Sequence, residues 1–168
     1  MAEIVLAVEG LSVYRDSYAA VQQVSFALEA GTDTAIVGPN GAGKTTLVQA
    51  ILGILPRQEG EVLILGQPLS RQGALPTRVR QQIAYLPQHF LFDRRMPITV
   101  AELVSLGWSR LGLQLPWVGV QQCRQAVRAA LVRVNAIHLS HQLISELSGG
   151  EIKRVLLAYC LVRPRQLL

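Results

Sequence analysis

The sequence holds no run of 18 or more apolar residues, short of the roughly 20 that a membrane-spanning helix needs. Its longest apolar stretches, such as residues 155–162, suit a core helix instead. No basic region leads into an apolar stretch at the start, where Glu3 and Glu9 interrupt, so no signal peptide is expected and the chain is expected in the cytoplasm. Cysteine is scarce. Cys123 and Cys160 are far apart, without the C-x-x-C spacing of a redox or metal pair, and are read as reduced small core residues. Aromatic residues are few, and the arginines that carry most of the net charge of +5 are scattered without aromatic interleaving, which argues against a nucleic-acid partner. There is no internal repeat, low-complexity tract or long linker.

What is present is enough for a folded domain: 168 residues, half of them hydrophobic, which excludes disorder. A mean hydropathy of +0.31 is high for a soluble protein, and is expected to reflect a buried parallel sheet and surfaces covered by partners. The chemistry concentrates in GPNGAGKTT, residues 38–46: Gly38, Pro39, Asn40, Gly41, Ala42, Gly43, Lys44, Thr45 and Thr46. This meets every fixed position of the phosphate-loop pattern G-x-x-x-x-G-K-[ST]. Glycines at 38, 41 and 43 let the backbone curl so that successive N–H groups point into one anion-sized concavity. Lys44 adds a point charge for β- and γ-phosphates, and Thr45 offers a hydroxyl to the accompanying Mg²⁺. The helix beginning here, with Leu47, Val48 and Ile51, aims its positive end at the same anion. Residues 34–37, an apolar run, are expected to form the buried strand that precedes a phosphate loop. Glycine-rich turns between strand and helix also occur without nucleotide, but the complete motif goes well beyond such a turn.

Around the loop, residues 4–13 and 24–28 read as strands joined through a turn region over 15–23, and 62–65 as another strand after Gly53 and Pro56 end the first helix. Residues 78–82 read as a helical connection, followed by the apolar run 83–86. Thr99 and Glu102 have capping-box spacing, so a helix is expected through Leu106 and ended by Gly107. Residues 108–118 read as a loop. Cys123, Val127, Ala130, Leu131 and Val134 recur at threes and fours, the stripe of an amphipathic helix.

The last helix opens on LSGGE, residues 147–151, with Ile152, Val155, Leu156 and Tyr159 on one face. Ser148 and Glu151 again have capping-box spacing, and the glycines between them leave the first N–H groups unshielded, a second candidate anion site. Alone this would be ambiguous, because S-x-x-E begins many helices.

GPNGAGKTT, then YLPQ at residues 85–88, then LSGGEIKRVLLA at residues 147–158, in that order, closely resemble the ATP-binding subunit of an ABC transporter. The resemblance implies an α/β P-loop NTPase fold of ABC type: an N-terminal antiparallel β subdomain, a partial RecA-like parallel core and a helical subdomain. The expected divisions are 1–87 for the β subdomain and loop core, 88–146 for the helical subdomain, and 147–168 for the signature helix and the start of the next strand. The cofactors implied are ATP and Mg²⁺. Tyr14 matches the aromatic that stacks on adenine, with Tyr18 close by; residues 38–46 match the Walker A loop. Gln88 matches the glutamine that touches Mg²⁺ and the attacking water, and together with Lys44 it is the expected catalytic pair. Ser148, Gly149 and Gly150 match the signature that closes on ATP held by the opposite subunit. The implied partners are therefore a second ATP-binding subunit, in a homodimer, integral membrane permease subunits and, indirectly, a solute-binding protein. The implied location is peripheral on the inner face of the plasma membrane.

MPITVAELVSLG at residues 96–107 is similar to importers of zinc, manganese, iron and iron chelates, although Trp108 stands where many of those have arginine. His138 and His141 lack a carboxylate or cysteine to complete a ligand set and are not read as a metal site. The family's Asp-Glu pair and later histidine are not in the sequence. The aspartate would hold Mg²⁺ and the glutamate would polarise water, so the 168-residue chain, if it is the whole product, is expected to bind ATP weakly and hydrolyse it little or not at all, with apolar sheet edge exposed. A soluble ABC ATPase of DNA repair or translation is the competing reading. It fits less well because neither a coiled-coil nor a zinc module lies between Gln88 and Leu147. A nucleotide-binding remnant without hydrolysis is the third.

Overall fold

The computed structural model describes residues 3–15, 18–88, 97–108 and 119–168. They fall into two compact units, Met1–Arg80 and Gln81–Leu168.

In the first unit, two 12-residue strands, β1 (Ile4–Arg15) and β2 (Tyr18–Glu29), pair antiparallel in register from Arg15 opposite Tyr18 to Ile4 opposite Glu29. The turn expected over 15–23 is therefore mostly strand. Ala19 to Gln23 lacks the alternation that marks a strand in the sequence, yet Tyr14 and Val13 pair with Ala19 and Val21 across the hairpin. The ladder shifts register near its middle, where Gln23 has φ 48°. The buried Ser12 hydroxyl accepts the Gln23 N–H at 3.1 Å, and Ser25 Oγ accepts the Gly10 N–H at 2.9 Å, so the donors freed by the bulge are satisfied. Strand β3 (Glu59–Ile64) lies on the other side of β1, and the short β4 (Gln67–Pro68) borders β3, giving the order β2-β1-β3-β4, antiparallel throughout. Val8, Leu11, Val13, Val62 and Ile64 are buried, as are Leu47, Ala50 and Ile51 of helix α1 (Lys44–Ile51). Arg57, only 8% exposed, donates to the carbonyls of Gly60, Leu69 and Ser70 and fastens the loops around β3; burial lowers its pKa. Helix α2 (Thr77–Arg80) is one turn, shorter than the helical connection expected over 78–82.

The strand expected at residues 34–37 is absent: residues 31–42 are exposed, with Ile36 at 42% and Val37 at 87%. Apolarity alone does not make a strand, because its amides need a neighbouring ladder. Among the described residues no strand pairs with this segment. Among the described residues the parallel core is represented by a single bridge, Ile83 to Leu167, in which Leu167 O accepts the Ala84 N–H at 2.8 Å.

The second unit is helical. Helix α3 (Val100–Leu106), helix α4 (Val120–Arg133) and helix α5 (Gly149–Leu161) enclose Val100, Leu103, Val104, Val127, Ala130, Leu131, Val155, Leu156 and Ala158. The stripe expected on α4 is the one buried, each large side chain contributing about 1.5–3 kcal/mol against solvent exposure. Two short 3₁₀ turns, Ile137–Leu139 and Ile144–Glu146, carry the chain from α4 to α5 and add Leu139 and Ile144 to the core. Cys160 is buried and Cys123 half-buried, both free, and burial pushes both thiols up. The expected loop over 108–118 lies, apart from Trp108, outside the described residues.

Candidate functional site

Helix α1 begins without the capping boxes that close the starts of α3 and α5. Its N-cap is Gly43, which has no side-chain oxygen to offer, and its first turn has no acidic residue. The first intrahelical bond runs from Leu47 N to Gly43 O at 2.8 Å, so the N–H groups of the preceding residues have no carbonyl within the helix. The positive end of this helix is uncompensated and faces an exposed loop, the condition for holding an anion.

The loop itself is shaped by two left-handed glycines, Gly41 and Gly43, each at φ 83°. Gly41 has open space where a Cβ would lie, so only its backbone angle asks for glycine. At Gly43 a Cβ would sit 2.1 Å from the Ala20 carbonyl oxygen, so β2 excludes a side chain there. The Lys44 ammonium lies inside the loop, donating to Gly38 O at 2.8 Å and Pro39 O at 2.7 Å. Two of its three N–H donors are spent on these carbonyls, which leaves one for an incoming anion. Thr45 is exposed in the first turn and Thr46 is half-buried beside it. Pro39, Asn40 and Ala42 complete the loop, with Ala42 N donating to Pro39 O at 3.3 Å.

A cavity of about 370 Å³ adjoins the loop, lined by Ala42, Gly43, Lys44 and Leu47, by Ile36 and Val37, and by Ala19, Ala20, Val21, Gln22 and Val24 of β2. The β2 residues have no counterpart among the sequence-derived candidates. The one trace of them in the sequence is the pair of small residues at Ala19 and Ala20, which lets the loop approach the strand. Tyr14 is 41% exposed near the end of β1, its backbone N–H held by Gln58 Oε1 at 2.9 Å, and does not line this cavity; Tyr18 is 61% exposed.

The remaining candidates belong to the second unit. Gln88 is exposed, at the end of a described segment that runs from Ile83 without regular structure. Ser148, Gly149 and Gly150 are exposed at the start of α5. The helix start is less open there than its sequence suggests. Ser148 Oγ accepts the Glu151 N–H at 3.4 Å, while Glu151 Oε2 accepts from Ser148 Oγ at 2.6 Å and from Ser148 N at 2.8 Å. The Glu151 carboxylate thus occupies part of the helix's positive end, and only the N–H groups of Gly149 and Gly150 remain for another acceptor. These bonds from Ser148 hold the Glu151 carboxyl below the usual glutamate range. Glu102 is held low in the same way by the backbone and hydroxyl of Thr99. Among the described residues no three His, Cys, Asp or Glu side chains gather as a metal cluster, and no helix is long and apolar enough to cross a membrane. For phosphate the α1 loop fits, by its uncapped amides and enclosed ammonium; for Mg²⁺ it offers the exposed Thr45 hydroxyl.

Comparison with known proteins agrees with this geometry. The manganese transport system ATP-binding protein MntB of Listeria monocytogenes is 35% identical over 161 residues, covering 95% of this chain and 63% of that protein. The zinc import ATP-binding protein ZnuC of Alcanivorax borkumensis is 34% identical over 168 residues, covering 100% of this chain and 56% of that protein. The chain therefore spans less than two thirds of the length of these relatives. Among solved structures, cbiO1 from Clostridium perfringens, part of the ABC transporter complex cbiONQ, superposes with a TM-score of 0.73 at 32% identity, covering 95% of this chain and 62% of that one. The fold is thus that of the ABC-type P-loop ATPases. With the sequence model of the ABC transporter family matching residues 21–168, which include both the lysine-bearing loop and the signature corner, the chain belongs to the ABC transporter family.

Proposed function

We propose that this chain is the ATP-binding, ATP-hydrolysing part of a subunit that energises a membrane importer of metal cations such as manganese, zinc or iron, or of their chelates. The observation that carries the reading is the start of α1: no cap, no acid, two left-handed glycines and the Lys44 ammonium enclosed by the carbonyls of Gly38 and Pro39. The manganese and zinc relatives support the cargo class.

In this reading the amides between Pro39 and Thr45 wrap the triphosphate, Lys44 neutralises its β- and γ-phosphates, and Thr45 and Gln88 hold the Mg²⁺. Bound Mg-ATP supplies a phosphoanhydride whose cleavage drives the cycle. Tyr14 stacks on the adenine. The Ser148 corner, through the free amides of Gly149 and Gly150, faces the nucleotide of a second copy, so the working form is a dimer carried on permease subunits at the inner membrane face, with a solute-binding protein acting through the permease and no nucleic acid involved. A closed dimer that prefers ATP to ADP and phosphate shifts the permease between its two conformations. The test is uptake of radioactive manganese and zinc by cells lacking the gene. Loss of uptake, restored by the native gene and not by its Lys44→Ala form, is expected; unchanged uptake of both metals and of iron in the deletion strain would refute the cargo class.

A further inference from the structure

In the second unit one guanidinium joins the segment that carries it to two others. Arg165 Nη1 donates to Gln81 O at 2.9 Å and to Ile83 O at 3.2 Å, and Nη2 donates to Gly107 O at 3.0 Å. Arg163 also donates to Gln81 O. The backbone follows the same path: Gln166 N and Leu167 N donate to Gln82 O, and Ala84 N donates to Leu167 O. Gly107 presses so closely on the end of α5 that a Cβ there would lie 2.4 Å from Tyr159 O. Arg165 Nε is buried and has no acceptor among the described residues, so the side chain forgoes one bond to reach three carbonyls at once. Only a planar fork with fixed donor directions spans such a set; a lysine ammonium, a single point on a flexible stem, does not.

Each segment leads to a different part of the candidate machinery. Residues 81–83 lead to Gln88, Gly107 closes α3, and Arg165 follows α5, whose opposite end carries Ser148, Gly149 and Gly150. We infer that Arg165 is a positioning residue that ties the Gln88 segment to α3 and α5. A displacement of the glutamine then reaches the signature corner as the movement of one rigid piece. The inference rests on the reading that bound nucleotide acts on Gln88.

Hydrogen–deuterium exchange of the 168-residue chain, with and without Mg²⁺ and a non-hydrolysable ATP analogue, separates the two. In the native chain, protection is expected to rise at residues 38–47, and exchange at 84–88 and 148–152 is expected to change together. In Arg165→Lys and in Arg165→Met, which keeps the apolar stem, the responses at 38–47 and 84–88 persist while that at 148–152 falls at least about fivefold. Protection of residues 127–134 in α4 reports that the unit remains folded. A response at 148–152 that survives in either folded variant, or is missing from the native chain while 38–47 is protected, overturns the inference. Loss of α4 protection in both variants would mark Arg165 as purely structural and overturn it as well. No protection at 38–47 in the native chain would refute the nucleotide reading itself, and the inference with it.

Discussion

At the scale of single residues, the phosphate loop is set by demands that come from different directions. Gly41 and Gly43 share the same left-handed backbone, yet only Gly43 is crowded, by the Ala20 carbonyl. Gly41→Ala is expected to cost about 1–2 kcal/mol, the price of the left-handed conformation alone. Gly43→Ala adds a collision with backbone and is expected to exceed about 2 kcal/mol, so denaturant unfolding should rank the two variants in that order. Equal losses would mean that β2 does not constrain the loop. The carboxylates of the capping boxes make a second prediction. Glu151 has a folded-state pKa held below its unfolded value by Ser148, so its contribution to α5 is present above the unfolded pKa and lost as the pH falls through the lower, folded one. Protection of the amides at the start of α5, taken relative to their intrinsic exchange rate at each pH, should fall across that acidic window in the native chain, and Glu151→Gln should flatten the dependence. An identical acid response in both would show that another group controls the helix start. The curled backbone at both glycines was legible in the motif and is the one observed; the crowding of Gly43 was not, because the motif says nothing of the strand behind it. The capping boxes were legible in full, because their partners lie three residues apart and depend on no distant contact.

Elements divide along the same line. The α4 stripe at Val127, Ala130, Leu131 and Val134 and the α5 face at Val155 and Leu156 could be read from periodicity, since a helix makes its own backbone bonds and the apolar positions then say which side is inside. Residues 34–37 could not be read in this way. Their apolar letters are those of a buried strand, but a strand's bonds belong to its neighbours, and the described sheet provides none there. The hairpin was underestimated for a related reason: Ala19 to Gln23 is strand because β1 continues opposite it, not because of its own composition. The two kinds of element should respond differently to substitution. Leu131→Ala, at a fully buried site on α4, is expected to cost about 2–5 kcal/mol. Val37→Ser, at 87% exposure, is expected to stay within about 0.5 kcal/mol. Paired unfolding curves check this, and a large loss at Val37 would mean that the segment packs in solution.

For the molecule as a whole, the two compact units divide the chemistry. The first holds the anion-binding loop with its enclosed lysine, and the second holds Gln88, the signature corner and the arginine clamp at the end of α5. Charge is also unevenly placed along the chain: between Glu102 and Glu146 there is no acidic residue, while Arg124, Arg128 and Arg133 lie on α4. Everything proposed for the whole begins with nucleotide at the α1 start. The most direct measurement is a calorimetric titration of Mg-ATP into the chain and into its Lys44→Ala form. Saturable uptake of one nucleotide per native chain, weakened at least about a hundredfold by the substitution, a loss of about 2.7 kcal/mol, is the expected result. No uptake by the native chain, or equal affinity in the two, would contradict it.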